Sequence, residues 1–409
     1  MNILFVTPCL PSESDGRRPL NFLKYLAPRH TVHLIAMKYT VQTAHEVQCL
    51  RNLGIQVTYI PYQPLRSRLN CLSAFWKRVP LRTCWVRHPA VRPAIEQAVR
   101  QTAYDVIHID RMRMGQYANS LPAPVLVDFP DAIAMYHDRS LHYRRWGWER
   151  LVDRWECHTI PDYERRMLAH VQCALVCSEI DAAYLNRYHP DRHFDVIYNG
   201  VDTDRFVPRR HEEPHAPRCI ITGTLFYFPN VDCVRYYMAD ILPRLRASLP
   251  DLQTQIIGTR PVKEIRALES HPGIQLLLDV PHMEDYLYSD DIYVCPLRVA
   301  AGIRHKLLEA MSVGMPIVTT RLGAEGLHVE DGKEMLFAET PEEFTRQISR
   351  LVESEELRRT LGEWGRAYAL RHYALDVLGR QLEALYEQLI ADSRRQTAPD
   401  RPLPGPAPE

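Results

Sequence analysis

Apolar residues in this chain come in short bursts separated by longer stretches with helical spacing. The first half carries NILFVTP, TVHLIAM, IQVTYIP, DVIHIDR, VLVDFP, CALVCS and FDVIYNG; the second carries CIITGTL, LQTQIIG, GIQLLLD, IYVCPLR, PIVTT and MLFAE. None alternates cleanly between apolar and polar positions. Such runs suit strands buried on both faces, and hence parallel sheets covered by helices. Intervening segments such as Val231–Ala247 and Val262–Leu268 are expected to be helical. Strand, helix and strand repeating at this spacing imply right-handed crossovers and a doubly wound α/β fold. Thirteen such runs are too many for one sheet of this kind, so the pattern predicts two Rossmann-like domains.

The seam falls at NGVDTDRFVPRRHEEPHAPR, Asn199–Arg218, which is polar, charged and punctuated by proline. The domains are expected at 1–200 and 201–373. After Glu342 the pattern turns continuously helical to about Ser393, with Leu375, Leu378, Leu382, Leu385 and Leu389 on one stripe. The tail, 394–409, contains TAPDRPLPGPAPE and is expected to be disordered.

Composition narrows the class. The chain has 409 residues, 46% hydrophobic and 24% charged, with a formal net charge of zero. That profile suits a soluble globular protein and argues against a nucleic-acid partner, which favours a basic chain. MNILFVTPCLPSESDG has no basic leader region, and no apolar run is long enough to span a bilayer. Ten scattered cysteines, Cys173 and Cys177 the closest pair, show no zinc spacing. They are expected to be reduced thiols in a cytoplasmic protein, with no bound metal and no cofactor.

Candidate chemistry sits at strand ends. After the first strand, PCLPSESDGRRP places Gly16, with Arg17 and Arg18, where a helix should begin, a setting that attracts anions; the alternative is a turn glycine with solvated arginines. No strand is followed by G-x-G-x-x-G or a Walker loop. In AAGIRHKLLEAMSVGMPIVTT, a helix is expected from Gly302 to Val313 with a cationic first turn of Arg304, His305 and Lys306. Lys306 and Glu309 share a face. The segment suits a diphosphate, with Glu309 accepting from ribose hydroxyls; a plain surface ion pair is the alternative.

The second half also resembles the retaining GT-B glycosyltransferases of the group 1 family. The likeness runs in order through VIYNGVDTDRFVP, ITGTLFYFPNVDCVRYYMADILPRLR, PDLQTQIIG, DVPHMEDYLYSDDIYVCPLR and GIRHKLLEAMSVGMPIVTTRLGAEGL. The nearest subgroup is similar to bacterial sugar transferases of exopolysaccharide clusters. The resemblance implies a nucleotide-diphosphate sugar held by the C-terminal domain, an acceptor on the N-terminal domain, and transfer with retention and without metal. It also implies that a helix at 374–393 returns to the N-terminal domain.

Carried over residue by residue, Glu309 matches the second glutamate of the E-x7-E motif; the first falls at Ala301, which cannot act in its place. Gly302 and Ile303 match the helix start facing diphosphate and sugar, with Arg304 and Lys306 as phosphate contacts. Val280 matches the position that meets the nucleobase, and Gly223 and Thr224 match the first turn of the C-terminal domain. The basic pair usual after that turn is missing from TLFYFPN. Arg17, Arg304 and Lys306 are the candidates to supply that charge instead, and Gly16 matches the glycine loop against the donor phosphate. Many relatives place a histidine after the fifth strand; here VLVDFPDA offers Asp128, a sugar contact or a helix cap, and Asp131. His108 and Asp110 stand at another strand end as acceptor or sugar contacts, with a purely structural histidine as the alternative for His108.

The expected reaction transfers a sugar to a glycan, lipid-linked or small-molecule acceptor. Ala301 and the missing basic pair motivate an alternative, a catalytically inactive subunit of the same fold that only binds a partner. From Val47 to Ile95 there is no acidic residue, while Arg66, Arg68, Lys77, Arg78, Arg82, Arg87 and Arg92 interleave with Phe75, Trp76 and Trp85. This stretch suits peripheral contact with an anionic membrane at its inner face, or a solvated helix pair.

Overall fold

The computed structural model describes residues 1–12, 16–38, 43–144, 146–213 and 215–397. The N-terminal sheet contains β1 (Asn2–Thr7), β2 (Thr31–Lys38), β3 (Gln56–Pro61), β4 (Val106–Asp110), β5 (Val125–Phe129), β6 (Cys173–Val176) and β7 (Asp195–Val196). Its order is β3-β2-β1-β4-β5-β6-β7. The C-terminal sheet contains β8 (Cys219–Thr224), β9 (Thr254–Thr259), β10 (Ile274–Leu278), β11 (Ile292–Cys295), β12 (Ile317–Thr319) and β13 (Leu336–Phe337), in the order β10-β9-β8-β11-β12-β13. All pairings between these strands are parallel; Ile3, for example, faces Val32 on one side and Val106 on the other. Chain order reverses at β1/β4 and at β8/β11. Such reversals open a crevice at the carboxyl ends of the strands.

Both faces of the N-terminal sheet are covered, which is why its strands read as unbroken apolar runs. Leu4 and Val6 pack on one side with Ile107, Ile160 and Met167. Ile3 and Phe5 pack on the other with Leu23, Leu378, Leu382 and Tyr386. The last three belong to the helix Leu375–Thr397, so the C-terminal end of the chain completes the core of the N-terminal domain. Each such side chain contributes about 1.5–3 kcal/mol by leaving water. The two crossings between domains lie side by side, with Val201 N–H donating to the Tyr373 carbonyl at 2.8 Å. That last helix runs past the expected limit of 393 to Thr397; the remaining tail, 398–409, lies outside the described residues.

Two helical expectations are corrected. Val231–Ala247 is not one regular helix but Phe228–Tyr236, a π-turn at Tyr237–Ile241 and Leu242–Ser248. Pro243 lacks the N–H that would continue the regular ladder. The helix expected from Gly302 begins at His305, because Gly302 adopts a left-handed backbone with φ 70° and Arg304 is extended.

Candidate active site

The carboxyl ends of both sheets face each other across a cleft of about 1740 Å³. Two helix N-termini meet there: Arg17–Leu26, which follows β1, and His305–Val313, which follows β11. Gly16 precedes the first with φ 78°, and a Cβ on it would lie 3.3 Å from Pro11 Cα. Gly302 precedes the second; a Cβ there would lie 2.8 Å from the Pro130 carbonyl oxygen. Glycine therefore lets the C-terminal helix start abut the loop after β5 in the other domain. Asn199 Nδ2 donates to the Ile303 carbonyl at 2.8 Å, and Arg139 grips Glu325 with a second bond of 2.8 Å, holding the domains together. Tyr136 stacks on Tyr227 across the cleft with centroids 5.6 Å apart.

The structure separates residues that are adjacent in sequence. Arg17 turns into the cleft and pairs with Glu309, whose side chain is buried. Arg18 turns inward and binds Asp128 in bidentate fashion at 2.7 and 3.0 Å. It also donates to the Ile197 and Tyr198 carbonyls at 2.8 and 2.9 Å, tying β5 to the interdomain segment. Burial alone would lower the Arg18 pKa, but the charge and hydrogen bonds of Asp128 more than offset this and raise it.

The three basic residues at the second helix start all border the cleft but differ in burial and partners. Arg304 is buried and donates to the Leu322 and Glu325 carbonyls at 2.6 and 3.1 Å. His305 is held near a pKa of about 3 by burial and by Arg17 and Arg18, so it is neutral at pH 7. Lys306 Nζ donates to the Thr222 carbonyl at 3.2 Å and to Asn230 Oδ1 at 3.1 Å. This places its charge beneath the β8 turn, where TLFYFPN lacks a basic pair. Gly223, Thr224, Val280, Ile303 and Glu309 line the same wall.

Four candidates are corrected. His108 is fully buried, stacks on Phe5 at 4.0 Å and shares a 2.7 Å hydrogen bond between Nδ1 and the Tyr386 hydroxyl; it is a core residue. Asp128 is fully buried and committed to Arg18, so it positions backbone rather than touching a sugar. Arg304 is committed to the loop after β12 and is a structural clamp, not a phosphate contact. Asp110 is fully buried and does not line the cleft. Burial pushes its carboxyl up to about 7, against the pull of Arg111 at 3.6 Å. Asp131 does line the cleft, beside Gly302, and burial raises its pKa.

Sequence reasoning passed over Arg111 and Arg113, which follow β4 and line the N-terminal wall. Two arginines directly after a strand end were the available signal. It also passed over Asn230, whose Nδ2 holds the Thr224 carbonyl at 3.1 Å while its Oδ1 receives Lys306. Among the described residues, the histidine–carboxylate group with ligand spacing is His211, His215 and Asp290. It lies outside the cleft, and the Arg218 guanidinium abuts His211 Nε2.

A profile described as Glycosyltransferase Family 4 matches residues 16–205, and one described as Glycosyl transferases group 1 matches 216–354. Spore coat protein SA of Bacillus subtilis is 28% identical over 47% of this chain, which spans 58% of that protein's length. The MMP alpha-(1->4)-mannosyltransferase of Mycolicibacterium hassiacum is 25% identical over 74% of this chain and 75% of its own. Among solved structures, Anabaena Alr3699/HepE in complex with UDP and glucose superposes with a TM-score of 0.65 at 15% identity, over 95% of this chain and 99% of that one.

Proposed function

The chain belongs to the group 1 glycosyltransferases of the GT-B fold, and from that premise we propose that it transfers a sugar from a nucleotide-diphosphate donor with retention at the anomeric carbon and without a metal. The observation that carries this is the convergence of two helix N-termini, Arg17, Lys306 and Glu309 on one interdomain cleft. Breaking a glycosyl–phosphate bond leaves growing negative charge on the diphosphate. Oriented N–H groups and fixed cations stabilise that charge without reorganising during the reaction. Lys306 meets the diphosphate from the β8 side and Arg17 from the N-terminal domain. Glu309 accepts hydrogen bonds from the ribose hydroxyls, and the base lies against Val280. The UDP and glucose in the Anabaena protein and the mannosyl transfer named for the Mycolicibacterium relative support a nucleotide-activated hexose.

Ala301 offers only a methyl where relatives carry a glutamate. Asp131 stands beside Gly302 from the opposite domain and supplies the carboxylate to the donor sugar. No carboxylate is required as a nucleophile in this scheme. The acceptor attacks from the leaving-group side, and the departing phosphate oxygen takes its proton. The acceptor, a glycan or a lipid-linked or small molecule, enters along the wall of Arg111 and Arg113, and the reaction runs in the cytoplasm. Thermal stabilisation by UDP-, GDP-, ADP- and TDP-sugars identifies the donor, and NMR of the first-formed product reads the anomer. Absence of both stabilisation and donor turnover across the set would favour the inactive, partner-binding subunit instead.

A further inference from the structure

The helix Pro64–Lys77 is built inside out. Leu65, Leu69, Leu72 and Trp76 fall at helical spacing on one stripe, and they are 74%, 66%, 64% and 91% exposed. The face turned to the protein is small or polar: Ser67 and Ala74 are buried, and Asn70 Nδ2 donates to the Arg87 carbonyl at 2.9 Å. A surface helix in a globular protein ordinarily does the reverse.

The stripe does not stand alone. Phe75 packs its ring against Trp155 at 4.8 Å, and Trp155 Nε1–H donates to the Val79 carbonyl at 3.2 Å. Trp155 lies on the helix Trp148–Leu168, at whose start Trp146 and Trp148 are 80% and 70% exposed, with Leu151 also exposed. Trp148 and Val152 line the cleft. The apolar surface therefore runs from the helix Pro64–Lys77 towards the mouth of the cleft, on its N-terminal wall.

Charge identifies what covers it. Arg66, Arg68, Lys77 and Arg78 are exposed around the stripe, and no acidic residue occurs from Val47 to Ile95. Near the tryptophans, exposed Glu149 is matched by Arg144 at 2.7 Å. A second copy of the chain meeting the same patch across a two-fold axis would bring these cations against each other. Arg82, counted with this set on sequence grounds, is held by Glu156 at 3.4 Å and lines the cleft instead. We propose that the helix Pro64–Lys77 and the neighbouring Trp146–Leu151 segment dock the N-terminal domain onto an anionic phospholipid surface, with the acceptor side of the cleft opening at the bilayer. Leucine and tryptophan enter the headgroup boundary while the cations meet lipid phosphates, so docking is reversible and salt-sensitive. Among the described residues no helix is long and apolar enough to cross a membrane. The docking does not rest on the transfer reaction, and its test reads lipid binding alone.

The experiment is flotation with vesicles of phosphatidylcholine alone or mixed with phosphatidylglycerol, at low and high salt. It compares the parent with Leu69→Glu/Trp76→Glu and Arg66→Glu/Lys77→Glu. All four positions are exposed, so melting temperature should stay at the parent value and show that the variants are folded. The parent should float with the phosphatidylglycerol vesicles at low salt. High salt, or either pair of substitutions, should weaken this by about tenfold or more, since each cation near the surface strengthens binding about fivefold. Failure of the parent to float, or equal flotation of parent and both variants, would overturn the proposal. So would a parent dimer, bound to no vesicle, that Leu69→Glu/Trp76→Glu converts to monomer; that result would assign the stripe to a second copy.

Discussion

Replacing Lys306 with alanine removes the cation that lies beneath the β8 turn. Its Nζ is held at 3.2 Å from the Thr222 carbonyl and 3.1 Å from Asn230 Oδ1, so its position is fixed before any ligand arrives. A charge-assisted hydrogen bond from such a group to a phosphate oxygen is worth about 1.5–3 kcal/mol. Binding of a nucleoside diphosphate should therefore weaken about 10- to 150-fold. The fold should lose little. Two hydrogen bonds of a half-buried side chain disappear, worth about 1 kcal/mol each, or a fall of about 2–3 °C in Tm for a chain of this length. Titration calorimetry should be run with the diphosphate and with the parent nucleoside, which has no phosphate for Lys306 to meet. The expected result is a large loss for the diphosphate and none for the nucleoside, with Lys306→Arg recovering part of it. Unchanged diphosphate affinity would refute the assignment. An equal loss for both ligands would refute it too, since it would mean that the substitution had disturbed the pocket rather than removed a phosphate contact.

Glu309→Gln should weaken nucleoside diphosphate binding and blunt the preference for ribose over 2′-deoxyribose; parent affinity and parent discrimination would leave Glu309 as only the partner of Arg17. Activity should survive EDTA, because fixed cations neutralise the diphosphate; loss restored by magnesium or manganese would contradict this. Asp128→Asn should cost about 3–5 kcal/mol in denaturant unfolding by stranding the buried Arg18 charge. A sugar contact would instead lose turnover at unchanged stability. Asp110 has a folded-state pKa of about 7 against 3.8 for the free side chain, so the folded chain holds a proton that the unfolded chain releases. Its contribution is complete below the unfolded value and lost as pH rises through about 7. Asp110→Asn should therefore gain stability relative to the parent across that interval, by at most about 4 kcal/mol at about 1.4 kcal/mol per unit. A pH-independent difference in Tm would show that the buried carboxyl does not titrate there.

The alternation of apolar bursts and helical stretches determined two parallel sheets, since a strand buried on both faces must be apolar at every position. Local spacing also put Lys306 and Glu309 on one helix face, because residues three apart share a face whatever surrounds them, but it did not choose their partners: Glu309 meets Arg17, and Lys306 meets the Thr222 carbonyl and Asn230. Direction among neighbours was another matter. Arg17 and Arg18 are indistinguishable in sequence, yet one reaches Glu309, 292 positions away, and the other reaches Asp128, 110 away. Arg304, His305 and Lys306 read as one cationic turn until burial under the loop after β12 claims the first and desolvation neutralises the second. His108 and Asp128 look like site residues because they stand near strand ends on the cleft side. Tyr386 and Arg18 decide otherwise, and both come from elements whose docking no local window contains. Leu65, Leu69, Leu72 and Trp76 fall at helical spacing, which by itself would bury them; only packing against the domain revealed that this side faces out. A side chain's charge and size are local properties; whether it is buried, paired or presented depends on what other elements bring against it.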